Sequence, residues 1–354
     1  MSSTIYDIAR EAGVSIATVS RVFNDNPKVS AATREKILDI ASRYGYHPRA
    51  QAQSLARRKT GLITVIVPII SNYFFMEVLA GIQDRLAETE FELQISNIKN
   101  SGDVREDSVR RQVEDVFKRG MSDGYIIISL HFGDKDLEYF KKFDAPITLI
   151  DEYHPDYSSV SVNNVEGGYT ATKSLIEQGF QNIAMICALF DSKPVEERIT
   201  GYRNAIQEAG FTFDESMLYT GLDTERDGFN ELNGYQAMKA LLHSKKEIDA
   251  VFCNSDIQSL GALKAMDDYQ KRLPIVSFDD LSFSQYLGLS TMRQPMLKMG
   301  MIAVEKLIKQ LENPDEDVTH TIFSPELIVR SSSLPEGNQI LKEFAGVTDS
   351  DKNS

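Results

Sequence analysis

The run Thr4-Ile-Tyr-Asp-Ile-Ala-Arg-Glu-Ala-Gly-Val-Ser-Ile-Ala-Thr-Val-Ser-Arg-Val-Phe-Asn24 decides how the front of this chain folds. Ile5, Ile8, Ala9 and Ala12 recur at helical spacing behind Thr4, a side chain suited to capping. Gly13 supplies the turn, and Val14 packs beneath it. Ser15 caps a second helix over 16–23, with Val19, Val22 and Phe23 turned inward. A third helix starts at Ser30 and runs to about Tyr44, its inner side made by Ile37, Leu38, Ile40 and Ala41, until Gly45 stops it. This order of short helices is that of a helix-turn-helix, a small all-α unit that sets the start of its second helix against base edges in the major groove. Arg21 can then contact guanine with two hydrogen bonds, and Ile16 and Ala17 can meet thymine methyl groups. Tyr6, Ser15, Thr18, Ser20, Asn24 and Thr33 can donate to phosphate oxygens. Taken singly, each of these is an ordinary solvated helix position.

The charge pattern supports a division of labour. The whole chain carries −14 and its pI is about 4.9, which argues against general affinity for nucleic acid. Residues 1–60 nevertheless carry ten Lys and Arg against five acids, so a basic head precedes a strongly acidic body. Two cysteines, Cys187 and Cys253, lie inside apolar runs and read as buried free thiols. No zinc-type spacing occurs, and neither a metal nor a cofactor nor a catalytic residue is expected. The start of the chain lacks the pattern of a secretory signal, and no apolar run approaches the ~20 residues of a membrane helix. The expected location is the cytoplasm, at the nucleoid.

Pro48 separates the third helix from Arg49–Gly61. Residues 50–56 could make a helix of two turns, too short to stand alone. Leu55 is its one large apolar side chain. It either packs on the body or wedges between base steps in a minor groove.

Thr4–Asn24, Val29-Ser, Thr33-Arg, Tyr44-Gly-Tyr-His-Pro48 and Ala52-Gln-Ser-Leu-Ala56 together resemble the LacI/GalR family of bacterial transcription regulators. The likeness extends to about Ser333. It implies base-reading roles for Ile16, Ala17 and Arg21. It places Leu55, flanked by Ala52 and Ala56, as the leucine that opens the central step of a palindromic operator. It also implies a homodimer.

From Leu62 the chain alternates short apolar runs with amphipathic helices. The strands read 62–68, 91–98, 124–130, 146–152, 183–189, 250–254 and 274–280, which calls for doubly wound parallel sheets. Seven or more strands over 270 residues predict two lobes, with a ligand at the carboxyl ends of the strands. Past those ends stand Asn72, Tyr73, Phe74, Asp151, Ser255, Asp256 and Asp279, with Arg198 opening a polar stretch before a helix. Carboxylates accept from diols, an arginine donates to them, and aromatic faces stack on rings, so the set suits a neutral sugar. Each acid could instead cap a helix in its strand-to-helix loop, an alternative that weighs most at Asp256. The resemblance implies a periplasmic-binding-protein-like core, an effector-clamping Arg198 opposite Asp279, and Phe229 as an aromatic wall. Ser255 stands where sugar-binding relatives often carry Asn.

The expected domains are a helix-turn-helix at 1–47, a hinge at 48–60, the two-lobed core at 61–333 and a polar tail at 334–354. The first lobe is expected to take about 61–160 and 291–320, the second about 161–290 and 321–333. The expected function is a sequence-specific DNA-binding regulator of repressor type, with double-stranded DNA, a sugar effector and a second copy as partners, and no membrane. Two other readings compete with it: a corepressor- or phosphoprotein-dependent regulator of the same fold, and, remotely, a sugar-processing enzyme.

Overall fold

The computed structural model describes residues 4–23, 26–46, 60–98, 106–130, 132, 134–189, 192–223 and 225–335. The head consists of α1 (Ile5–Ala12), α2 (Ile16–Phe23) and α3 (Ala31–Arg43). Thr4 and Asp7 form a reciprocal capping box on α1, and Gly13 ends the helix at φ 66°. Ser15 Oγ accepts from Thr18 N at 3.1 Å, and Ser30 Oγ accepts from Thr33 N at 3.2 Å. Ile8, Val19, Val22, Ile37 and Ile40 close a small core. Leu38, expected inside, is 45% exposed and points away from it.

The body is two sheets of one design. The first runs β1 (Leu62–Val67), β2 (Glu92–Asn97), β3 (Gly124–Ile128), β4 (Ile147–Ile150) and β5 (Ser158–Val162) in the order β2-β1-β3-β4-β5. The second runs β6 (Ile183–Ile186), β7 (Leu218–Tyr219), β8 (Ala250–Cys253), β9 (Ile275–Asp279) and β10 (Ser290–Arg293) in the matching order β7-β6-β8-β9-β10. Each sheet gains one late strand. β11 (His320–Phe323) pairs in parallel with β5, and β12 (Glu326–Ile328) pairs antiparallel with β10. Runs such as Ile63–Val67 and Ile126–Ile128 are buried on both faces because helices cover both, as parallel sheets require.

Those helices are α4 (Tyr73–Leu86), α5 (Glu106–Lys118), α6 (Asp134–Phe140), α7 (Asn164–Glu177), α8 (Lys193–Glu208), α9 (Glu231–Leu242), α10 (Asp256–Asp268) and α11 (Met296–Glu312). The expected lobe boundaries need correction. Residues 290–293 pair with the second sheet and 320–323 with the first, so the chain crosses near 294 and 324, not at 291 and 320. α11 returns to pack on α4 in the first lobe. Strands of four residues carry too few alternating residues to be read from sequence.

Candidate functional site

On the head, the side chains proposed to read bases share one surface. Ile16, Ala17 and Arg21 are all exposed on α2, with Tyr6 on α1 at 67% exposure. Ser15 and Thr18 are hydrogen-bonded to each other, as are Ser30 and Thr33, so these hydroxyls first serve helix starts. Some of the head's positive charge is structural. Arg34 donates to the carbonyls of Val22 and Asn26, and Lys36 donates to that of Ala12. Ser20 is half-buried. Asn24, Ala52, Leu55 and Ala56 lie outside the described residues.

In the body, the strand order reverses between β1 and β3 and again between β6 and β8. Ligand crevices form at such reversals, outside the carboxyl ends of the strands. A cleft lies there, between the lobes, lined by Asn72, Tyr73, Phe74, Asp151, Arg198, Phe229, Ser255 and Asp279. Ser129, Ser192, Arg226, Asp227 and Gln294 also line it, and sequence reading did not single these out.

The second lobe supplies the buried charge. Arg198 is 4% exposed. Its Nε donates to Asn164 Oδ1 at 2.9 Å, and its Nη1 donates to the Asn254 carbonyl at 2.5 Å. Its guanidinium lies 3.6 Å from the centre of the Phe278 ring. Burial pulls its pKa down, while Asp279 and Asp151 push it back up. α8 can place Arg198 so deep because Gly168 of α7 and Gly201 of α8 let the helices touch. A Cβ on Gly168 would sit 2.2 Å from the Arg198 carbonyl oxygen. Asp279 is 7% exposed, and its Oδ1 accepts from Gln294 Nε2 at 2.6 Å. Burial pushes its pKa up to about 7, with the Arg198 charge pulling the other way. Ser192 Oγ is buried in the wall with no protein partner.

Asp256 does not line the cleft. It is fully buried, and its carboxylate accepts from Leu281 N at 2.8 Å, Ser284 Oγ at 2.6 Å and Thr291 Oγ1 at 2.7 Å. Three donors of the fold hold the carboxylate, and its complete burial keeps it from a ligand in the cleft. Its function is to hold the loop after β9. That loop sends Leu281 into the core of the first lobe and sets Phe283 edge-on to Tyr73, 5.9 Å between ring centres.

The first lobe's wall is more open. Asn72 caps α4 by accepting from Phe74 N at 2.9 Å, and Tyr73 is 41% exposed. Asp151 Oδ2 accepts from Ser129 Oγ at 2.8 Å. Ser129 (φ 46°), Asp151 (φ 59°) and Asp279 (φ 122°) all hold positive φ at strand ends. Non-glycine residues held there cost of order 1–3 kcal/mol each and gather at binding sites.

Residues 4–49 match the family model "Bacterial regulatory proteins, lacI family", and residues 172–333 match "Periplasmic binding protein-like domain". The HTH-type transcriptional regulator RegA of Clostridium saccharobutylicum is 33% identical over 94% of this chain and all of its own length. The chain belongs to the lacI family of bacterial regulatory proteins. Catabolite control protein A of Priestia megaterium is 32% identical over 90% of the chain and 95% of its own. The lac repressor dimer bound to operator shares the fold, with a TM-score of 0.81 at 23% identity over 94% of this chain and all of that one.

As a lacI-family member the protein is a DNA-binding transcription regulator, and its relatives are regulators. The two-lobed core is of the periplasmic-binding-protein type. Among the described residues no helix is long and apolar enough to cross a membrane.

Proposed function

We propose that the protein is a repressor-type regulator in which a neutral, hydroxyl-rich sugar bound between the lobes controls operator binding. Arg198 carries this reading. Among the described residues Nη2 has no hydrogen-bond partner, and the guanidinium is buried beside a cleft whose other charged walls include Asp151 and Asp279. A sugar diol can accept from the guanidinium and donate to the carboxylates at once. A phosphate would meet two arginines, Arg198 and Arg226, against three acids, Asp151, Asp227 and Asp279, and the net repulsion disfavours it. The regulator CelR, 26% identical with a TM-score of 0.68 over 93% of this chain and 99% of that one, was solved with cellobiose. A lacI-family regulator of Enterococcus faecium was solved with ribose.

The DNA partner is a palindromic operator bound by a two-fold dimer, with Ile16, Ala17 and Arg21 reading bases in each half-site. Leu55, with Ala52 and Ala56, enters the central minor groove. Tyr6, Ser15, Thr18, Ser20, Asn24 and Thr33 supply phosphate contacts. Exposed Ile70 and Met76 on the first lobe and Leu222 and Tyr286 on the second offer apolar surface for a second copy. The working place is the nucleoid, and no catalysis is assigned.

Calorimetry with neutral sugars and their 6-phosphates tests the effector class. A neutral sugar should bind, its phosphate at least tenfold more weakly, and Arg198→Ala should abolish the binding. Tighter binding of phosphates overturns the reading.

A further inference from the structure

Where the chain from the head enters the body, one carboxylate takes hold of it. Asp123, the residue before β3, accepts from Thr60 N at 2.6 Å and Thr60 Oγ1 at 3.1 Å on one oxygen, and from Gly61 N at 2.8 Å on the other. Its own N–H donates to the Leu62 carbonyl at 2.8 Å. Gly61 holds φ 72°, in the left-handed region that favours glycine, and this turn brings two successive amides onto the carboxylate. The second lobe carries the same clamp at the same place. Asp249, the residue before β8, accepts from Gln181 N at 2.9 Å and Asn182 N at 3.0 Å, the two residues ahead of β6. Its N–H donates to the Asn182 carbonyl at 3.0 Å, and both aspartates are half-buried. The two copies differ in what precedes them. Gln181 follows closely on α7, where Gly179 N donates to the Ile176 carbonyl at 2.9 Å, and Phe180 packs on the second-lobe core. Asp249 therefore fastens a chain already held by its neighbours. Thr60 follows from the head, so Asp123 fastens the end of the linker itself.

We infer that Asp123 determines specificity at the DNA: by pinning the point where each linker leaves the first lobe, it sets the half-site spacing that a dimer accepts. The inference rests on the reading of a two-fold dimer on a palindromic operator, and not on the effector. A charged acceptor with several donors holds a backbone more firmly than a neutral pair does. With the clamp open, Thr60 and Gly61 join each linker, and each residue adds up to about 3.3–3.6 Å of reach. One base pair adds about 3.4 Å along the duplex. The two freed residues per protomer can therefore follow half-sites moved one or two base pairs apart, and their freed torsions absorb the accompanying turn. With the clamp shut that slack is gone. Asp249 has no such part to play, because the chain it fastens leads only to α7.

The full chain first selects its operator from a pool of randomised duplexes. Anisotropy at fixed salt then compares that operator with versions carrying one and two extra central base pairs. The wild type should lose about tenfold or more in affinity at the first added base pair, and Asp123→Asn less than about threefold. Asp249→Asn, the same change in the matching clamp, should keep the wild-type penalty, and urea midpoints of the two variants show what each costs the fold alone. Gly61→Ala opens the turn from the linker side. Its new methyl would meet no atom within 4 Å, so the body should fold, and the spacing penalty should shrink as in Asp123→Asn. If Asp123→Asn and Gly61→Ala both keep the wild-type penalty, if Asp249→Asn loses it equally, or if the wild type shows no penalty, Asp123 does not set spacing and the operator reading stands. If the pool yields no palindrome, the dimer–operator reading itself falls and this inference with it.

Discussion

The head and the cleft both recognise a partner, and they are built in opposite ways. Ile16, Ala17 and Arg21 stand exposed on an eight-residue helix whose own core is elsewhere, in Val19 and Val22. Arg198, Asp279 and Ser192 are nearly fully buried, and two of them are fastened by hydrogen bonds to neighbouring elements. At the head, recognition and stability are separable residue by residue. In the cleft they are the same residues. A regulator gains from this split: the surface that meets DNA can vary while its fold persists, and the site that senses a ligand is tied to the packing of both lobes.

The largest effect that probes this contrast belongs to Asp256, which the sequence reading placed in the cleft. Asp256→Ala should strand three buried donors and cost about 3–5 kcal/mol, read as a lower midpoint in urea unfolding. A loss under 1 kcal/mol would mean the loop after β9 holds itself. Arg21→Ala should instead leave the urea midpoint unchanged and weaken operator binding by about 1–3 kcal/mol, at one base position per half-site. A drop in stability there would end the claimed separation. The last effect is a slope. Burial raises the Asp279 pKa from 3.8 to about 7, so the folded state holds a proton that the unfolded chain releases. That contribution is full below pH 4 and is lost as pH rises to about 7, on the order of 4 kcal/mol in all, of which roughly 2 kcal/mol falls between pH 5 and 7. Asp279→Asn should flatten the decline in stability between pH 5 and 8. An unchanged slope would show that the carboxyl is ionised throughout.

The same contrast explains what the sequence revealed. Helices α1 to α3 were legible because caps, glycine stops and apolar spacing are local, and Thr4, Gly13 and Ser30 sit where those signals place them. The central strands were legible as apolar runs. β5, β7 and the late strands β11 and β12 were not: β11 reaches β5 only across more than a hundred residues of chain, and β7 and β12, two and three residues long, are too short to show an alternation. Arg198 and Asp279 carried a polar signal at strand and helix ends. Ser192, Ser129 and Gln294 carried none, since only the meeting of two lobes turns them toward one space. Asp256 misled because position after a strand says nothing about which donors the fold will aim at a carboxylate.

The central claim is that occupancy of the cleft governs the head. Fluorescence anisotropy of a labelled palindromic operator, titrated with the protein at fixed salt with and without the sugar found by calorimetry, tests it most directly. The account predicts specific binding that weakens by about 5- to 150-fold when the sugar saturates the cleft, and no shift in the Arg198→Ala variant. Operator affinity that is identical with and without a sugar shown to bind would contradict it.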